Sequence, residues 1–275
     1  MSIESNPPDP SIGAAVSDNA PESHADAGVQ PDAEIAVKKP KLRAKPKFTL
    51  PIPVSAVLLD LDGTMLATVG DIAKAANMMR ASLGFLPLDP VVIGNYVGKG
   101  IPNLVAKTLQ DAVGEVGPTA LKVAVANFER QYGQCFADSS APFPGVVEGL
   151  NALREKGFRL GCVTNKAEKF TRPLLEKTGL AHYFEIVVSG DTLAEKKPHP
   201  LPLQHAAKFF GCDTKAMLMI GDSINDAAAA RAAGCPVFIV PYGYNEGQEL
   251  RGLDCDVFID DIPATLKFVK LLPLH

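Results

Sequence analysis

Cysteine is sparse and unpatterned in this chain. Its five cysteines, at 135, 162, 212, 235 and 255, form no CxxC pair, and such an odd, scattered set specifies neither a disulfide framework nor a zinc site. Buried, reduced thiols and a cytoplasmic setting are the expectation. No apolar run approaches the roughly 18–20 residues that cross a bilayer. The N-terminus lacks the basic and apolar regions of a secretory signal. A basic excess is missing too: 27 Lys and Arg against 31 Asp and Glu give a formal charge of −4, which weighs against nucleic acid as the principal partner. Gly98-Lys99-Gly100 has neither the spacing of a P-loop nor that of a dinucleotide fingerprint. His199 and His205 have no His or Cys at ligand spacing, which leaves them as surface or packing residues.

What is present divides sharply near residue 50. Residues 1 to 34 are rich in Pro, Ala, Ser, Asp and Glu without a single Lys or Arg, so they cannot bury enough apolar surface to offset the entropy of ordering. A basic run follows, Lys38, Lys39, Lys41, Arg43, Lys45 and Lys47, interrupted by Pro40 and Pro46. It can be read as a patch for an acidic partner, but the prolines break any helical face and favour a solvated linker. Residues 1–50 are expected to be a disordered tail.

From Val54 the pattern becomes that of a folded α/β protein. Ala56 to Leu59 is a short apolar run of buried-strand type. Residues 72–141 carry three helical faces, around Ile72–Leu83, Ile101–Leu109 and Leu121–Phe136. Thereafter strand and helix alternate at short intervals, with strands at Arg159–Val163, Glu185–Val188, Met217–Ile220, Val237–Val240 and Val257–Ile259 and a last helix over Ile262–Leu272. This predicts a Rossmann-like parallel sheet with helices on both faces, and an all-helical segment inserted after the first strand. The expected boundaries are 51–71 with 142–275 for the core and 72–141 for the insert.

Polar residues stand where the predicted strands end. Asp60 and Asp62 follow the first, with Gly63 and Thr64 behind them. Thr164 and Asn165 follow the second, and Asp222 a later one, with Asp226 one turn into the next helix. In a parallel sheet all strand C-termini share one edge, so these groups should converge. Lys197 arrives from a Pro-rich loop, with Lys196 as its solvated neighbour. Four carboxylates, a hydroxyl, an amide and a lysine suit one hard divalent cation, Mg²⁺, and one anion. Asp60 could attack phosphorus, Asp62 could move the proton of the leaving group and then of water, and Lys197 and Thr164 could hold developing charge. Asp226 either ligates the metal or, on the preferred reading, supports it from behind the ligands. The bland alternatives are that a DxD merely caps a turn and that Thr164 and Asn165 are helix caps. The co-occurrence of all four motifs argues against them.

Asp60-Leu61-Asp62-Gly63-Thr64, Val163-Thr164-Asn165, Lys197-Pro198 and Gly221-Asp222-Ser223-Ile224-Asn225-Asp226 resemble, in order, the four motifs of the haloacid dehalogenase-like hydrolases. Asn77-Met78-Met79, Tyr96-Val97-Gly98-Lys99-Gly100 and Tyr242-Gly243-Tyr244-Asn245 are most similar to the phosphoglycolate phosphatases within that superfamily. The resemblance implies a Mg²⁺-dependent phosphatase with Asp60 as nucleophile. It makes Asp62 the acid/base, with its carbonyl on the metal beside Asp60 and Asp222. Thr64, Thr164, Asn165 and Lys197 would serve the phosphate, and Lys99, on a helical cap, would face the substrate. Met65-Leu66-Ala67-Thr68 lacks the acid usual after the first motif, whereas Asp71 keeps its place. The implied substrate is 2-phosphoglycolate. The alternatives are a phosphosugar phosphatase or a β-phosphoglucomutase-like mutase, and a non-catalytic binding protein that uses its basic tail. Oligomeric state is left open between monomer and homodimer.

Overall fold

A computed structural model describes residues 44–250 and 252–273. Most of the expected disordered tail, with Lys38, Lys39, Lys41 and Arg43, lies outside the described residues. Its end does not behave as a free linker. The Lys45 amide donates to the Cys255 carbonyl (2.9 Å), the Lys47 amide to Asp256 (2.7 Å), and Phe48 packs against the core.

The strands in chain order are β1 (Ile52–Val54), β2 (Ala56–Leu59), β3 (Leu66–Ala67), β4 (Ala141–Pro142), β5 (Arg159–Val163), β6 (Ile186–Val188), β7 (Met217–Gly221), β8 (Val237–Ile239), β9 (Val257–Phe258) and β10 (Val269–Leu271). The helices are α1 (Val69–Ser82), α2 (Pro90–Gly94), α3 (Ile101–Val113), α4 (Pro118–Cys135), α5 (Val146–Glu155), α6 (Glu168–Lys177), α7 (Leu201–Phe210) and α8 (Ile224–Ala233). Six strands form one parallel sheet in the order β6-β5-β2-β7-β8-β9. Side chains alternate across β2: Val57 and Leu59 join the cluster under α5 and α6, while Ala56 and Leu58 join the one under α7 and α8. Burial on both faces is why these strands read as continuous apolar runs. The expected α/β architecture is the one observed. Among the described residues no helix is long and apolar enough to cross a membrane, and the five cysteines are unpaired thiols, four of them buried.

Helices α1 to α4 pack around a cluster of their own that includes Met79, Phe128 and Tyr132. The chain enters and leaves this layer through β3 and β4, which pair antiparallel, so both crossings lie side by side. Asp71 fastens them. One carboxylate oxygen accepts from the Ser139 amide (2.9 Å) and hydroxyl (2.6 Å), the other from the Ser140 amide (3.0 Å) and hydroxyl (2.6 Å).

Two local expectations fail. Between the first two of the three helical faces expected in residues 72–141 lies a further helix, α2, capped by Asp89, whose side chain accepts from the Val91 amide (2.7 Å), with proline at the first position. The last helix is not one. Pro263–Lys267 forms a single 3-10 turn, and Val269–Leu271 then runs parallel to β1 as a strand. The apolar spacing fits a helix, but Ile52 and Val54 offer backbone partners that local periodicity does not reveal.

Candidate active site

The sheet order sets the position of the site. From β2 the chain builds outward through β5 and β6, then returns to the other side of β2 for β7, β8 and β9. The crevice where such an order reverses is where open α/β sheets hold ligands. Asp60 and Asp62 leave β2 there, and Asp222 leaves β7 beside them. The Asp60 amide donates to the Ile220 carbonyl (2.9 Å), holding the two strand ends together.

Carboxylate oxygens of Asp60, Asp222 and Asp226 lie within 4.8 Å of one another. Burial pushes the Asp60 carboxyl up to about 6, with the Lys197 ammonium opposing it, and pushes Asp222 up to about 8, reinforced by Asp226 and Asp60. Crowded, dehydrated acids are destabilised as anions, and a bound cation reverses that cost. The lone pairs are spoken for unequally. Asp226 uses one oxygen on the Lys197 Nζ (2.6 Å) and the other on the Ser223 amide (3.1 Å) and hydroxyl (2.7 Å), closing a capping box on α8. Asp222 accepts from the Thr64 hydroxyl (3.0 Å) and the Tyr244 amide (2.6 Å). Each of its oxygens keeps a second lone pair. Asp60 Oδ1 is buried and accepts no hydrogen bond, although Lys197 Nζ stands 2.9 Å away as an ion pair. A donor-poor oxygen beside a second buried carboxylate fits a hard divalent cation.

Lys197 is 2% exposed and commits its ammonium to the Val163 carbonyl (2.6 Å), Asp226 and Asp60. Burial alone would lower its pKa, but Asp226 and Asp60 hold it above the ordinary lysine value. The Thr164 hydroxyl accepts from the Lys166 amide (3.2 Å), which leaves its proton free for an anion in the cavity it lines.

Three expected phosphate or substrate groups are engaged elsewhere. The Thr64 hydroxyl is fully buried on Asp222. Asn165 gives its amide hydrogens to the carbonyls of Gly98 and Lys197, both at 2.8 Å, so it ties the helical layer to the Lys197 loop. Lys99 pairs with Glu246 (2.7 Å) and does not line the cavity. Lys196, expected to be merely solvated, donates to the Lys99 carbonyl (2.9 Å).

Sequence reading overlooks Lys166. Its ammonium meets both oxygens of Asp62 (3.2 and 3.3 Å) and the hydroxyl of Tyr132 on α4 (2.8 Å). The clue available was a lysine directly after Thr164-Asn165, at a strand end where charge needs a partner. Tyr132, counted only as part of an apolar face, carries a hydroxyl that burial obliges to bond.

A model of the haloacid dehalogenase-like hydrolase family matches residues 57–240, the stretch that holds all four motifs. The chain belongs to the haloacid dehalogenase-like hydrolases. It is 51% identical over 221 residues to the phosphoglycolate phosphatase of Nitrosospira multiformis, covering 80% of this chain and 97% of that protein. It is 47% identical over 215 residues to that of Thiobacillus denitrificans, covering 78% and 95%. Its backbone is similar to a crystal structure of a predicted phosphoglycolate phosphatase from Haemophilus somnus, with a TM-score of 0.74, 31% identity, and coverage of 78% and 97%. The chain is a phosphoric monoester hydrolase. Lys197 Nζ lies 2.9 Å from Asp60, Asp222 shares the carboxylate cluster with Asp60, and Asp62 lines the same cavity as Asp60.

Proposed function

We propose that this hydrolase converts 2-phosphoglycolate to glycolate and phosphate through a phosphorylated Asp60, with Mg²⁺ as its cofactor. The observation that carries the reading is the cavity over Asp60. Among the described residues its wall sets Asp60, Asp62 and Thr164 beside a single cationic side chain, Lys166. A lone cation next to the acids suits a small phosphorylated acid, and the similarity to phosphatases of that name agrees.

Asp60, 9% exposed at the end of β2, attacks phosphorus; the bond from phosphorus to the ester oxygen breaks as the acyl-phosphate bond forms. Asp62 delivers a proton to the departing alkoxide. It then takes one from the water that attacks the phosphorylated Asp60, which frees phosphate and restores the carboxylate. Lys197 and the Thr164 hydroxyl hold charge on the transferring oxygens. Asp60 and Asp222, with the Asp62 carbonyl, would hold Mg²⁺, which supplies charge neutralisation to the phosphoryl group. Asp226 fixes Lys197 rather than the cation.

A panel of phosphomonoesters assayed with and without Mg²⁺ tests this. The expected result is Mg²⁺-dependent turnover with 2-phosphoglycolate preferred, abolished in Asp60→Asn. Preferred turnover of a sugar phosphate, interconversion of sugar 1- and 6-phosphates, or activity surviving in Asp60→Asn would overturn it.

A further inference from the structure

Lys166 stands out among the buried charges. Its side chain is 5% exposed, yet it lies on the cavity wall, where the other charged residues are Asp60 and Asp62. Lys197, tied to Val163, Asp226 and Asp60 at the phosphoryl end, does not line this wall, and neither does Lys99, which pairs with Glu246. An organic anion entering this cavity therefore meets a single cation. The contacts from Lys166 to Asp62, at 3.2 and 3.3 Å, are longer than the 2.7–2.9 Å usual for a charge-assisted bond. Its contact to Tyr132 is tight (2.8 Å), and its ammonium also lies 4.8 Å from the centre of that ring. The lysine is thus anchored from the helical layer and only loosely held by the acid beside it.

The position matters because Asp62 serves the leaving oxygen. In 2-phosphoglycolate the carboxylate stands two carbons along from that oxygen. A cation bridging both oxygens of Asp62 sits where that second anion arrives. Around it Ile72, Val97, Leu104, Phe128 and Phe170 exclude water, which strengthens an ion pair and leaves a neutral competitor nothing to offer.

We propose that Lys166, set in place by the Tyr132 hydroxyl, is the specificity-determining anchor for the carboxylate of an acidic phosphomonoester. This rests on the reading of 2-phosphoglycolate as substrate. Because Tyr132 comes from α4 and Lys166 from the loop after β5, the anchor is complete only when the helical layer lies over the sheet. Discrimination and closure are then one event.

The test is kcat/KM for 2-phosphoglycolate and for ethyl phosphate, which has the same ester oxygen and no carboxylate, in the full-length Mg²⁺-loaded enzyme and two variants. In the wild type 2-phosphoglycolate should be strongly preferred. Lys166→Met should lower that preference by roughly 100-fold or more. Tyr132→Phe, which keeps the ring in its aromatic cluster, should lower it by about tenfold, the value of one hydrogen bond, mainly through KM. If the variants lose activity on both substrates equally, Lys166 only positions Asp62, and the anchor is overturned while the substrate reading stands. A wild type indifferent to the carboxylate overturns both.

Discussion

Lys197 lies 2.6 Å from Asp226, a carboxylate with no exposed surface whose other oxygen closes the first turn of α8. The pair joins the lysine beside Asp60 to the helix that follows β7. Removing Asp226 strips the buried ammonium of its shortest carboxylate partner and opens the capping box. Asp226→Ala should lose about 3–5 kcal/mol in urea denaturation, the range for breaking a buried pair from one side. Asp226→Asn, which can still accept from Ser223, should lose less. Equal stability of Asp226→Ala and wild type would show that the pair holds nothing.

Gly63 provides a second expectation. Its φ of +86° is a left-handed conformation, and a Cβ there would collide with the Asp222 carboxylate. Gly63→Ala must therefore displace a proposed cation ligand as well as strain the turn. The Mg²⁺ concentration for half-maximal activity should rise by roughly 10–100-fold. An unchanged requirement would mean that Asp222 does not hold the ion.

Asp71 gives a pH-dependent one. Burial would raise its pKa, but the hydrogen bonds from Ser139 and Ser140 outweigh that and hold it below the ordinary carboxylate value. A depressed folded value contributes stability above the unfolded value, near 3.9, and that contribution is lost as pH falls through the folded one. Asp71→Asn should be less stable than wild type at neutral pH, on the order of 2 kcal/mol for bonds to a charged group. The gap should close on acidification below about pH 4. A gap that stays constant across that range would show that the ionised clasp is not its source.

The helical layer supplies the last. The Tyr244 hydroxyl accepts from the amides of Thr68 (2.7 Å) and Val69 (3.0 Å), where the chain enters α1. Tyr244→Phe leaves both amides without that acceptor at a cost of about 1–3 kcal/mol. Since this anchors the layer rather than touching the reacting atoms, KM should rise more than kcat falls. A pure kcat loss, measured by steady-state kinetics, would refute the assignment.

Much of the site was legible in the order of residues. Asp60 and Asp62 follow an apolar run, and Asp222 follows another. Parallel strands of an α/β sheet must end on one edge, so their convergence follows from local pattern plus connectivity. The bonds that Thr64, Asn165 and Lys99 make were not legible in this way. Each has a functional group suited to phosphate, but the structure gives Thr64 to Asp222, Asn165 to two carbonyls and Lys99 to Glu246. Side-chain chemistry states what a group can bond; only the fold states what lies within reach.

The sequence by itself determined the sheet and the edge on which its acids gather, because Asp60, Asp62 and Asp222 come with their strands attached. It also hid three things that depend on contacts between distant segments. Val269–Leu271 is a strand because β1 lies beside it. Asp226 faces Lys197 because the loop after β6 folds back over α8. Lys166 meets Tyr132 across 34 positions because the helical layer closes on the sheet. Periodicity and turn chemistry are local and can be read along the chain. Hydrogen bonds between segments far apart in sequence are fixed only when the whole core packs.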